Sequence, residues 1–96
     1  MGGRTTWEPI AREAAKHEDI DVHIFLAMIE QESGWNEFAK SEDGAQGIMQ
    51  IMPFAHPDVN TWNPRESIFW AAKTIRKYRD ERGSYDLALA AYNVGG

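Results

Sequence analysis

Glu32 is an ionisable residue on the apolar face of the most hydrophobic predicted helix. At roughly 100° per residue, Glu32 projects near the middle of the apolar arc of that helix. A carboxyl group turned toward a core or cleft loses hydration, which raises its pKa and favours the protonated form that a general acid requires. The alternative is a frayed last turn whose Glu32 reaches solvent past Gly34. The arc itself is formed by Val22, Ile24, Phe25, Leu26, Met28 and Ile29.

The segment from Gly44 to Pro53 has the unusual sequence GAQGIMQIMP. Its two glycines, three residues apart, let the backbone pass close to another body. One interpretation is a loop anchored by an apolar plug, in which Met side chains fill gaps in the core. The other is a binding wall, where a ligand approaches glycine backbone and the Gln50 amide fixes a hydroxyl or acetamido group. The segment alone leaves both interpretations open.

A third stretch, ALAAYNVGG, closes the chain from Ala88 to Gly96. Its small residues favour a tightly packed helix, with Tyr92 and Asn93 near the end. Tyr92 is either a half-buried core residue with a hydrated hydroxyl or a hydrogen-bond partner for a catalytic carboxyl.

The elements that must position these residues are helices, and we predict an all-α fold with a single domain over residues 1–96. No segment shows the alternation of a strand. Residues 35–46 have no helical period and indicate an ordered loop, and Ile48 to Met52 fits one short helical turn. The predicted helices run from a Thr6 N-cap to about His17, from an Asp21 cap to Gly34, from Asn63-Pro64 to Gly83, and from Ser84 or Asp86 through Tyr92.

Composition excludes several kinds of partner and site. With 96 residues and a net charge of −5, the chain has no basic stripe for nucleic acid or an anionic membrane. The absence of Cys rules out disulfides and thiolate metal sites. We find no transmembrane segment and no apolar signal-peptide region. His17, His23 and His56 lack metal-ligand spacing, so we expect neither a metal nor a cofactor.

The motifs together resemble the soluble lytic transglycosylase family, which cleaves peptidoglycan and shares its fold with goose-type lysozyme. The resemblance covers about two thirds of the chain, and the order and gaps of its motifs make it specific. Ala55, Ser67 and Ala71 depart from the family pattern, but only at loop or helix-packing positions. The matching residues are Glu32-Ser33, Ala39-Lys40-Ser41, Gly44 to Pro53, Asn63-Pro64 and Ala88 to Gly95.

The resemblance implies a small lysozyme-like helical domain with a substrate groove beside the catalytic helix. Glu32 would act as acid and then as base on the bond between N-acetylmuramic acid and N-acetylglucosamine, leaving a 1,6-anhydro product. Tyr92 would hydrogen-bond Glu32, and Ser33 would brace the end of the helix. The substrate-binding residues carried over are Ser41, Gly47, Gln50, Met52 and Asn93, and the candidates for sugar stacking are Trp35, Phe38 and Trp62.

Two alternatives stay open at this point. A lysozyme-type hydrolase would need a second carboxylate, and Glu42, Asp43 and Asp58 are available in loops. A structural module that only binds peptidoglycan belongs to a different class. Because family domains normally continue past the Tyr-Asn motif, we expect a catalytic core that is either truncated or minimal at its C-terminus, suited to a phage tail or virion protein or to a secreted protein. The expected partner is the glycan strand, at the bacterial cell wall or periplasm.

Overall fold

The computed structural model describes residues 3–95, and within this range the structure is all-helical, as predicted. α3 packs against both α1 and α4, and α1 also packs against α2. A long loop connects α2 to α3, and it contains two isolated β-bridges but no named strand in the described range. The helices are α1 (Arg4–His17), α2 (Val22–Ser33), α3 (Pro64–Arg82) and α4 (Tyr85–Gly95).

The capping residues predicted for α2 and α3 are confirmed. The Asp21 side chain accepts a hydrogen bond from the Ile24 N–H at 3.0 Å, and Gly34 ends the helix in the left-handed conformation at φ 60°. Asn63 caps α3 in the same way, and Gly83 ends it at φ 87°. At the start of α4, the Ser84 hydroxyl accepts from the backbone N–H of Leu87, which decides between the two predicted starts.

The predicted Thr6 N-cap is wrong, because α1 begins at Arg4 with Gly3 in the capping position and no side-chain cap. Glu8 explains the extra turn. Its carboxylate pairs with Arg4 at 2.7 Å and with Arg12 at 2.8 Å, each four residues away along the helix. These spacings are the ones at which opposite charges stabilise a helix.

The predicted helical turn from Ile48 to Met52 is also wrong. The chain reverses there, since Gln46 and Ile51 exchange backbone hydrogen bonds of 2.9 and 3.0 Å. Gly47 and Gln50 flank the reversal at φ 81° and φ 51°, and these positive values are incompatible with a right-handed turn.

The core runs through α3 and extends into the loop that follows α2. Ile48, Met49 and Ile51 of that loop are each fully buried, alongside side chains of all four described helices. The loop is therefore fixed to the core by its apolar residues, which leaves Gln50 and Met52 to face outward beside α2. Among residues 3–95, no helix combines the length and apolar character that crossing a bilayer demands.

Candidate active site

A cavity of about 260 Å³ lies between the end of α2, the following loop and the end of α4. It brings together six of the seven site residues that the sequence predicts. Three further lining residues, Asp43, Ala45 and Val94, were not among the predicted site residues. The lining consists of Glu32, Ser41, Asp43, Ala45, Gln50, Met52, Tyr92, Asn93 and Val94.

Glu32 supplies one of the two carboxyl groups of this cavity, from the last turn of α2. It is partly buried, and the loss of hydration raises the pKa of its carboxyl. No hydrogen bond or ion pair from the described residues offsets this effect. Arg4 pairs with Glu8 and, at 3.7 Å, with Glu30 on the same helix as Glu32. Glu32 is thus a free carboxyl that is poised to hold a proton.

Ser33 and Tyr92 attach the loop wall to the two helices on either side. The Ser33 hydroxyl donates to the Ile48 carbonyl at 2.7 Å, which braces the end of α2 against the loop. Tyr92 is 2% exposed, and its hydroxyl donates to the Met49 carbonyl at 2.8 Å. The hydroxyl proton therefore goes to the loop and not, as the family resemblance implies, to Glu32.

The charge of Glu32 nevertheless affects the pKa of Tyr92. Burial raises the pKa of the Tyr92 hydroxyl well above its ordinary value, and the negative charge of Glu32 adds to the rise. At neutral pH the phenol therefore stays protonated and keeps its hydrogen bond to the loop. Its role in the structure is to hold the backbone of the wall in place beside the carboxyl.

Gln50 occupies a strained position in the same wall. Its backbone is in the left-handed conformation at φ 51°. Residues other than glycine rarely adopt this conformation, which costs of order 1–3 kcal/mol. Its amide nitrogen donates to the carbonyls of Ala39 at 3.2 Å and Gly47 at 2.9 Å. Both amide protons are thus used inside the loop, and only the amide oxygen is left to accept from a ligand.

Ser41 and Asp43 form a hydrogen-bonded pair at the opposite side of the loop. The Ser41 hydroxyl donates to the Asp43 carboxylate and accepts from the Ala45 N–H at 2.9 Å. Sequence reasoning left Asp43 undistinguished among the loop acids. The available signal was its spacing of two residues from Ser41, at which loop side chains commonly bond to each other and to nearby backbone.

The polar groups around the cavity are therefore mostly acceptors. The Asp43 carboxylate, the Gln50 amide oxygen and the remaining lone pair of Ser41 all accept hydrogen bonds, and the protons of Ser41, Gln50 and Tyr92 are committed within the protein. Such a lining suits a ligand rich in hydroxyl and amide N–H donors. It disfavours an anionic group at the same place.

Gly47 does not line the cavity. A Cβ at this position would lie 2.0 Å from the Thr61 carbonyl oxygen, so the glycine permits close packing of the loop against residue 61. The three aromatic stacking candidates also lie outside the lining. Trp35 is 1% exposed and belongs to the core, whereas Phe38 and Trp62 are exposed on the surface.

Residues 3–95 contain no group of three or more His, Cys, Asp or Glu side chains placed to hold a metal ion. His56 instead packs against the Trp70 ring, and His17 pairs with Glu18. Glu32, the acceptors around it and the side-chain amide of Asn93 are therefore the chemical groups that this cavity offers.

Comparison with known proteins gives a consistent result. Residues 9–96 match the family described as the transglycosylase SLT domain. A transglycosylase of Enterobacteria phage PRD1 is 30% identical over 97 residues, which cover 98% of this chain and 36% of the relative. The membrane-bound lytic murein transglycosylase F of Saccharophagus degradans is 33% identical, over 93% of this chain and 20% of the relative.

A second transglycosylase F, from Pseudoalteromonas translucida, is 37% identical over 79% of this chain and 18% of its own length. The chain thus spans about a third of the phage relative and about a fifth of the bacterial ones. The family match covers nearly the whole chain and includes every residue of the cavity. The chain therefore belongs to the transglycosylase SLT domain family.

Proposed function

We propose that this chain is a lytic transglycosylase, which cleaves the β-1,4 bond between N-acetylmuramic acid and N-acetylglucosamine in peptidoglycan. The observation that carries the proposal is Glu32, a partly buried and unpaired carboxyl with a raised pKa in the cavity. Membership of the SLT domain family and the names of the relatives support the reaction class. The acceptor-rich lining supports a sugar as the ligand.

In the proposed first step, protonated Glu32 donates its proton to the glycosidic oxygen as the bond to C1 of the muramic acid breaks. The carbonyl oxygen of the sugar's own N-acetyl group forms the new bond to C1, so no second protein carboxylate is required. Glu32 is left ionised. A raised pKa favours this step because more of the carboxyl is protonated at neutral pH.

In the second step, ionised Glu32 removes the proton from the C6 hydroxyl of the same sugar. The C6 oxygen then bonds to C1 and displaces the acetamido oxygen, which gives the 1,6-anhydro product and restores protonated Glu32. Water is not consumed. Ser41, Gln50 and Asp43 would accept hydrogen bonds from sugar hydroxyl or amide groups, and Tyr92 would act indirectly by holding the loop.

A Glu32→Gln variant tests the proposal, because it keeps the shape and removes the acid. Digestion of purified peptidoglycan followed by mass spectrometry should give anhydro-muramic ends with the original chain and no products with the variant. Exposed Glu42, changed to Gln, is the matched control and should retain activity. Equal clearing by the Glu32 variant would refute the catalytic role.

A hydrolase is the second candidate, and Asp43 is the observation that favours it. A second carboxylate in the cavity of Glu32 is what a water-using glycosidase requires. Hydrolysis would give reducing ends, heavier than the anhydro ends by one water molecule. If Asp43→Asn abolished such products, the hydrolase mechanism would replace the one proposed above.

We also place the chain in a larger protein that acts at the bacterial cell wall. The relatives are about three to five times as long as the matched region, and one of them belongs to a phage. Association with a virion is therefore part of the proposal.

A further inference from the structure

A second cavity, of about 380 Å³, lies between α3 and the loop that precedes it. We propose that it binds the peptide attached to the glycan strand, through a carboxylate of that peptide. The inference rests on the proposed function, and it assigns a separate group of residues to a separate part of the substrate. The residues that carry it are His56, Asp58, Trp70, Lys73, Lys77 and Tyr78.

Two lysines give this cavity its positive charge. Lys73 and Lys77 are four residues apart on α3, where like charges face each other and destabilise a helix by about 0.2–0.5 kcal/mol. In the part of the chain described, ion pairs engage arginines and one histidine, and neither of these lysines takes part. A bound carboxylate would relieve their repulsion.

The floor of the cavity is aromatic. The His56 ring packs against the Trp70 ring with centroids 4.6 Å apart and planes tilted by 58°, and Tyr78 lies along the same lining. The Nε2 atom of His56 is buried and lacks a hydrogen-bond partner among the described residues. A buried polar atom without a partner is costly, so a turn of the His56 ring that brought Nε2 to a ligand group in the cavity would gain free energy.

Asp58 adds one negative charge beside the two lysines. A simple anion would be repelled by it, whereas a peptide that carries both carboxylates and an amino group matches all three charges. Peptides of peptidoglycan have this zwitterionic character. The aromatic floor then offers apolar contact to the aliphatic parts of such a peptide.

The two cavities adjoin through one aromatic contact. Trp70 of the second cavity lies 6.1 Å from Tyr92 of the first, measured between ring centroids. The first cavity offers acceptors and the second offers cations, so the two have opposite preferences. A branched substrate with a sugar limb and an acidic peptide limb fits this pair of neighbouring sites.

The test compares peptide-bearing peptidoglycan with glycan strands from which an amidase has removed the peptides. For the double variant Lys73→Gln/Lys77→Gln, we expect about a tenfold rise in KM on peptide-bearing strands, as for a lost charge-assisted hydrogen bond. The rise on peptide-free strands should be several-fold smaller. Lys16→Gln on α1 is the matched control and should change neither value. Equal losses on the two substrates, or none on either, would overturn the inference.

A second measurement separates this inference from the proposed function. The peptides released by the amidase are titrated into the chain, and the Trp70 indole signal is followed by NMR. We expect saturable shifts that weaken as salt is added, because the contact is ionic, and that disappear in the double lysine variant. If the chain cleaves neither substrate, the proposed function fails while this titration still decides the peptide site. Absence of shifts at millimolar peptide would overturn it.

Discussion

Replacing Tyr92 by Phe removes a single hydroxyl and leaves the ring in the core. That hydroxyl donates to the Met49 carbonyl at 2.8 Å, and Met49 is fully buried. Within residues 3–95, the Met49 carbonyl accepts no hydrogen bond other than this one. The variant therefore leaves a buried acceptor without a partner.

The expected cost is about 1–3 kcal/mol of unfolding free energy, the usual penalty for a buried polar group that loses its partner. For a domain of this size, each kcal/mol shifts Tm by about 4–8 °C. We therefore expect Tm to fall by about 4–24 °C. Because the loop carries Gln50 beside Glu32, kcat should also fall at temperatures where the variant is fully folded.

Thermal unfolding followed by circular dichroism measures the first effect, and peptidoglycan turnover well below Tm measures the second. Tyr78→Phe is the matched control, since its hydroxyl forms no hydrogen bond within the described residues and its loss should leave Tm nearly unchanged. A Tm for Tyr92→Phe equal to that of the original chain would refute the tethering role. A normal Tm with lost activity would instead favour a direct bond from Tyr92 to Glu32.

The other predictions concern Glu32 and Gly47. Because burial raises the folded-state pKa of Glu32, its contribution to stability is full at low pH and is lost as the pH rises through that value. Glu32→Gln should therefore gain stability over the original chain between pH 4 and pH 7 in urea unfolding; a constant difference would contradict this. For the same reason, the alkaline limb of the kcat/KM profile should lie above the ordinary Glu value of about 4.3, and a limb at that value would argue against Glu32 as the acid. Gly47→Ala places a Cβ 2.0 Å from the Thr61 carbonyl oxygen and should cost about 2–5 kcal/mol. Gly83→Ala, at φ 87° in open space, should cost only about 1–2 kcal/mol, so equal Tm values for the two variants would refute the steric argument.

The sequence predicted those parts of the fold that depend on local chemistry. Asp21, Asn63 and Ser84 cap their helices through bonds to residues three positions ahead, and that spacing is visible in the sequence. The start of α1 was missed because ion pairs of Glu8 extend the helix past Thr6. In this case a side-chain network outweighed a preferred capping residue.

The sequence predicted which residues line the site better than it predicted the hydrogen bonds that they form. The motif resemblance assigned Glu32, Gln50 and Tyr92 to one site, and in the structure all three line one cavity. It could not give the acceptor of the Tyr92 hydroxyl, because that bond joins residues 43 positions apart and depends on how the loop reverses. Asp43 was named only as one of three loop acids, because its spacing from Ser41 does not by itself tell which of those acids lines the cavity.

The tethers of the loop have a consequence for sequence variation. Ser33 and Tyr92 bond to the main-chain carbonyls of residues 48 and 49, and a carbonyl is present whatever side chain occupies the position. A library randomised among apolar residues at 48 and 49 should therefore keep the wall in register with Glu32. Randomisation at 33 and 92 should not, because those two positions supply the donors. The position of the wall is thus determined by side chains of the flanking helices more than by the side chains of the wall itself.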